Sequence, residues 1–329
     1  MQQNKALFFG IIGLAVLIVA GLIAARFFLA DQIELPTLTE KVSIRVVAAP
    51  AIETWARQAA GAFNQKNPNT QVEIIRADGL IPEAQFRTDP QNPPAAWLAE
   101  ATFMVELARN RGLSFQDAQS VASSGLTWGA FKAKQDEFNQ TYGGLNWEGL
   151  YAKATSPENG LNFVIASPSN SAEGLAALIS ATAAHLNKDS LSGSDVSQAD
   201  AWLSELFNIN AKTPATPADN FATMRVSAGD AGLLTLASWR RVRLTENPDF
   251  VTSPAQPPVN LDYPLAVFGQ ASPAAQQAVT AFRVFLLDAG QQNTLNTVFL
   301  DPASTASPGV QADGDAVQRL LDLAGRVLP

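Results

Sequence analysis

Three consecutive segments constrain the fold most. Val42–Ala48 (VSIRVVA) is β-rich and is followed by Pro50. Thr54–Gln65 (TWARQAAGAFNQ) carries Trp55, Ala59 and Phe63 at i, i+4 and i+8, one face of a helix that Asn67-Pro68-Asn69 would end. Gln71–Ala77 (QVEIIRA) alternates as a second strand. A strand, a crossover helix and a strand in succession predict parallel pairing, with helices covering the faces of the sheet.

The same alternation continues downstream. Ala95–Arg111 reads as a helix, either continuous or broken near its start, Leu126–Phe131 as a strand, 132–146 as a helix and loop, and Trp147–Ala154 as a short amphipathic helix. Phe163–Ala166 then reads as a strand that stops at Ser167-Pro168, with a polar turn and a long Ala/Leu helix after it. Short helices at Ala199–Phe207 and Ala218–Met224, a strand at Gly232–Ala237 and a strand at Leu265–Phe268 follow. Pro273–Leu287 and Ala316–Val327 complete the set as helices. No internal repeat is present.

Before these segments lies ALFFGIIGLAVLIVAGLIAA, residues 6–25, without a charge. At about 1.5 Å per residue such a helix spans about 30 Å, one hydrocarbon thickness. It is longer than the apolar core of a signal peptide, and Phe28-Leu29-Ala30 is a poor cleavage site, so an uncleaved anchor is expected rather than a removed signal. Residues 1–30 are thus read as a membrane anchor and 31–41 as a linker. The remainder would lie outside the cytoplasmic membrane, in the periplasm or the extracellular space.

Composition closes several function classes. A net charge of −8 argues against a nucleic-acid partner, because phosphate binding needs a basic face. With no cysteine, thiolate catalysis, disulfides and cysteine metal sites are ruled out. The single histidine, His185, sits on the Ala/Leu helix without a second histidine, so no metal site is expected; Asp189 is read as its hydrogen-bond partner. No Gly-x-Ser-x-Gly elbow, P-loop or Gly-x-Gly-x-x-Gly cradle occurs. No catalytic residues and no cofactor are expected.

The order of segments resembles bacterial extracellular solute-binding proteins of the type II periplasmic-binding-protein fold, in particular the solute-binding-like module found beside von Willebrand factor A domains. The resemblance rests on VVAAPAIETWARQAAGAFNQKNP, on GGLNWEGLYAKA with its Gly-Trp-x-x-Leu helix, and on FVIASPSNSAEGLAAL with Pro-x-x-Ser-x-x-Gly. DYPLAVF, SPAAQQAVTAFRVFLLDAGQQ and FLDPA complete it, and together these cover most of 42–305. It implies an α/β fold of two lobes, 42–126 plus 262–329 and 127–261, behind one N-terminal transmembrane helix. The chain would cross between lobes near 122–130 and return near 255–264, with ligand in the cleft.

In such a fold, strand ends and helix N-termini face the cleft, where unpaired N–H groups and the helix dipole favour polar or anionic groups. The candidate ligand residues are therefore Ser167, Ser169, Asn170 and Ser171 before the Ala/Leu helix, Gly79 after the second strand, Ala51 in the first loop, and Tyr263 at the return crossing. Asn170 with Glu173 also fits a capping box, Asn170 being the N-cap. The first loop carries Ala48, Ala49, Pro50 and Ala51 where related binders place Ser or Thr, which leaves backbone N–H groups, Glu53 or Thr54. Trp97, Trp128 and Trp239 are candidates for cleft walls, with core packing as the ordinary alternative. Arg240, Arg241 and Arg243 are read as a solvated surface run or an anion contact.

The function expected is capture of a small polar or anionic solute by a membrane-anchored, extracytoplasmic binding protein, with an ABC permease or other membrane-complex subunits as partners. The alternative is a non-catalytic accessory subunit of a larger membrane complex that uses the same fold as a scaffold.

Overall fold

The chain opens with β1 (Val42–Ala48), α1 (Pro50–Lys66) and β2 (Thr70–Arg76), and β1 and β2 pair parallel from Val42↔Thr70 to Ala48↔Arg76. This comes from a computed structural model that describes residues 41–328 apart from 90, 157–159 and 306–308. The anchor and linker expected over 1–41 lie outside these residues, save Lys41. Among the described residues no helix is long and apolar enough to cross a membrane.

A single turn, α2 (Glu83–Arg87), leads to β3 (Ala96–Leu98) and α3 (Thr102–Asn110). The break read near the start of Ala95–Arg111 is present, and the residues before it are a strand rather than helix, which corrects that part of the reading. These residues have helical composition, but they pair parallel with β1 and antiparallel with a late strand, and tertiary ladder bonds override local propensity. The helix starts instead where the Asp262 carboxylate accepts from the Thr102 N–H (2.7 Å) and hydroxyl (2.6 Å).

Next come β4 (Phe115–Ser120), β5 (Ala122–Phe131), α4 (Lys132–Thr141), α5 (Trp147–Ala154), β6 (Phe163–Ile165) and α6 (Ala172–Leu186). Helix α6 is rich in Ala and Leu, and Ala172 and the residues from Gly174 through Ala183 are buried, as expected of a central helix. Then follow β7 (Ser190–Leu191), α7 (Gly193–Asn210), β8 (Ala211–Lys212), α8 (Pro217–Met224), β9 (Ala231–Thr235) and α9 (Leu236–Arg241). Helix α7 begins before Ala199 because Ser192 and Asp195 form a capping box. Strand β9 ends before Ala237 because the Thr235 side chain accepts from Ser238 N–H (3.2 Å) and starts α9. The chain finishes with β10 (Phe250–Pro254), β11 (Asn260–Leu261), β12 (Pro264–Phe268), α10 (Pro273–Leu286), α11 (Ala289–Gln292), β13 (Asp301–Pro302), β14 (Gln311–Ala312) and α12 (Gly314–Val327).

Two mixed sheets result. The first has the order β2-β1-β3-β12-β4; the second has the order β10-β5-β9-β6-β8, with β11 and β13 also on β5. The segments expected to cross between lobes run side by side: Leu126 N–H donates to Val259 O (2.8 Å) and Ala255 N–H to Leu126 O (3.0 Å). The buried apolar residues of both halves form one continuous cluster, and a smaller one around Trp239 sits on the second sheet. Helix α12 spans the halves. Asn110 at the end of α3 donates to Gly314 O (3.4 Å), while Arg326 pairs with Asp200 of α7 (2.6 Å). Its buried residues Val317, Leu320, Leu323 and Ala324 form the apolar stripe between.

Candidate functional site

Four strand ends converge near the first sheet. At the end of β1, Ala49 is the N-cap of α1 and Pro50 occupies its first turn, where a missing N–H costs nothing. At the end of β2, Gln85 holds the loop: it accepts from Asp78 N–H (2.9 Å) and donates to Arg76 O (2.8 Å). Gly79 follows at φ +79°, a conformation that favours glycine. After β3, the chain turns at Glu100, whose backbone oxygen accepts from Tyr263 N–H (3.1 Å).

The fourth contribution comes from the second sheet, at the start of α6. The capping assignment is corrected by one residue: Ser171, not Asn170, is the N-cap, and its hydroxyl accepts from Glu173 N–H (3.1 Å). Glu173 does not fold back to complete a box. One carboxylate oxygen accepts from Thr235 N–H (2.5 Å), Thr235 hydroxyl (2.8 Å) and Ser238 hydroxyl (2.7 Å), which ties α6 to the β9–α9 junction. Gly174 lets the preceding loop lie on the first turn of α6, since a Cβ there would be 2.3 Å from Ala166 O and 2.6 Å from Pro168 N. Gly174→Ala is therefore expected to destabilise the protein by about 2 kcal/mol and lower the melting temperature; an unchanged melt would show that this loop is loosely held.

Between these ends is a cavity of about 320 Å³. Ala49, Pro50, Gly79, Trp97 and Glu100 line it from the first half, and Asn170 and Ala172 from the second. Trp97 is 2% exposed, and its indole N–H has no hydrogen-bond partner. Among the described residues one other buried side-chain polar atom shares that condition, Arg45 Nε, whose guanidinium is engaged through Nη2 with Asn92 O and Asp89. A buried donor without a partner is uncommon and marks a place where a partner is expected.

The cavity wall is acidic. Glu100 is half-buried and lines this cavity. Burial pushes its carboxyl up to about 7, the nearby Glu173 adds to the rise, and the Ala172 N–H opposes it. Burial also raises Glu173, against its bonds from Thr235 and Ser238. Tyr263 is buried at φ +39° and its hydroxyl is pushed well up by burial and by the two carboxylates.

Of the residues expected to hold ligand, Gly79 and Asn170 line the cavity. Ser171 is engaged as a cap, Ser169 and Ala51 are exposed, Ser167 is half-buried, and Tyr263 packs behind Glu100. Trp97 stands at the wall, whereas Trp128 and Trp239 are in the core, against Trp147 (5.0 Å) and donating to Thr127 O (3.0 Å) respectively. Sequence reasoning missed Glu100; its one signal is a carboxylate directly after the apolar run Ala95–Ala99. Arg240 and Arg241 pair with Asp301 (2.7 Å) and Asp219 (3.2 Å). His185 stacks on Trp202 (4.4 Å between ring centroids, 11°), which replaces the expected bond to Asp189.

A larger groove of about 860 Å³ runs past that stack on the outer side of α5 and α6. Several of its polar side chains are engaged: Tyr151 donates to Glu205 (2.7 Å), Trp147 to Ser180 (2.9 Å), and Lys188 pairs with Asp195. The smaller cavity, with its unpaired donor and converging strand ends, is the better ligand site.

Two mixed sheets with strand ends meeting around a cavity define the class of periplasmic binding proteins. Solved structures share the fold. The ferric binding protein from Campylobacter jejuni has a TM-score of 0.64 at 12% identity, covering 87% of this chain and 99% of that one. The iron-bound HitA from Pseudomonas aeruginosa gives 0.62 at 15%, covering 88% and 100%. The sulfate-binding protein SubI from Mycobacterium tuberculosis gives 0.55 at 18%, covering 84% and 96%. No curated protein sequence matches the chain significantly. The profile of the bacterial extracellular solute-binding protein family matches residues 44–296, and the chain belongs to that family. It is a binding protein rather than an enzyme.

Proposed function

We propose that the protein captures a small polar solute in the cavity between the starts of α1 and α6, outside the cytoplasmic membrane, while residues 6–25 hold it there as a single-pass anchor. The observation that carries this reading is a cavity lined by both halves, with Trp97, whose buried indole N–H has no partner, among its lining residues. Solute contacts made only when the halves are together would favour the closed arrangement. The structural neighbours are described as binding iron or sulfate, and delivery to an ABC permease is the corresponding role here. The carboxylates Glu100 and Asp78 in the lining disfavour an anionic solute.

The test is a thermal-shift screen of the detergent-extracted full chain against sugars, amino acids, amines, oxyanions and metal chelates. At a concentration of about 100 times Kd, a ligand stabilises by about 2.7 kcal/mol. That corresponds to a rise of about 5 °C for a chain of this size. No response to any solute, together with stable co-purification of membrane proteins, would instead favour the accessory-subunit role.

A further inference from the structure

We propose that the solute carries a protonated amine seated against the Glu100 carboxylate and an oxygen atom that accepts the Trp97 indole N–H. This rests on the reading of the cavity as the solute site. Both residues line the cavity, and they offer opposite halves of a recognition pattern: an acceptor with spare lone pairs and a buried donor with no partner.

Glu100 is the carboxylate with capacity to spare. Glu173, on α6, already receives three hydrogen bonds from Thr235 and Ser238. Among the described residues, Glu100 has the Ala172 N–H as its one hydrogen-bond donor. A buried carboxylate is costly without a counter-charge, and a cation in the cavity would supply one.

The other charged and titratable groups around Glu100 agree. Glu173 and Tyr263 face it from α6 and from the chain before β12, and Asp78 lines the cavity from the loop after β2. Arg76 is the one basic residue in the lining, and its Nε lies 3.9 Å from Glu53 Oε2, drawn to the outside of α1. Apart from Arg76, the charged groups lining the cavity are the carboxylates Glu100 and Asp78, which repel an oxyanion and attract an amine. The volume is at the low end for small-molecule sites, about 300–1000 Å³, so the solute is small.

Isothermal titration of the full chain in detergent tests this with ethanolamine, 4-aminobutyrate and putrescine as amine probes and with sulfate and phosphate as anion probes. The expected result is binding of an amine at pH 8 that weakens about tenfold at pH 6, as Glu100 takes up its proton. Glu100→Gln should weaken it at least about thirtyfold. Trp97→Phe should weaken the oxygen-bearing amines but not putrescine, which keeps the proposal testable if Glu100→Gln does not fold. Sulfate or phosphate binding that tightens toward pH 6 would overturn the amine assignment and leave the solute-binding role standing. Amine binding indifferent to both variants would also overturn it. No binding from either set, with a thermal-shift response to another solute, would overturn the amine assignment and leave the solute-binding role standing.

Discussion

Lys153→Met is expected to lower stability by about 3 kcal/mol, because it breaks a buried charge cluster on one side only. Lys153 is 6% exposed and Asp230 is 5% exposed. The Lys153 ammonium lies 2.6 Å from Glu137 and 3.5 Å from Asp230, and Lys134 lies 2.7 Å from Asp230. Asp230 also accepts from Asn162 N–H (2.8 Å), which joins the start of β6 to the start of β9. Removing the Lys153 charge leaves two carboxylates sharing Lys134. Denaturant melts should show a lower midpoint with an unchanged slope. Adding Asp230→Asn should recover part of the loss, since that restores the balance of charge. A loss under about 1 kcal/mol would mean that the cluster behaves as an exposed one.

The second large effect has the opposite sign. Glu100→Gln is expected to stabilise the solute-free protein above pH 7 by up to about 3 kcal/mol. The sign follows from linkage. The folded carboxyl titrates near 7 against an ordinary value of 4.5, so the folded state holds a proton that the unfolded chain has released. Glu100's favourable contribution is complete below about 4.5 and is lost as pH rises through about 7. Wild type should therefore lose melting temperature between pH 5 and pH 8, and Glu100→Gln should flatten that slope. Parallel curves for the two proteins would show that Glu100 is solvated. Function explains why a destabilising group would stand there: strained or poorly compensated groups are common at binding sites.

Much of the frame is legible in the sequence because the signals are local. β1 and α5 have the bounds expected, since a β-branched run and an Asn146-capped amphipathic helix declare themselves. Long-range pairing is not legible. Ala96-Trp97-Leu98 is a strand only because β1 and β12 flank it, and β14 finds β7 across more than a hundred residues of chain. The site divides the same way. Gly79 and the polar stretch before α6 are visible as a turn glycine and a helix start. The choice of Ser171 over Asn170 as cap depends on where Glu173 is drawn, by Thr235 and Ser238. That Glu100 is enclosed and Trp97 unpaired follows from packing by both halves, which no local pattern encodes.

The central claim is that solute sits in the cavity at Trp97. Nitrogen-15 labelling of the tryptophans gives six indole N–H signals, and Trp97→Phe identifies the one concerned. On adding the solute found by thermal shift, the Trp97 signal should move the most, because its free N–H gains an acceptor. A still Trp97 signal with a shifted Trp202, in the outer groove, would contradict the account.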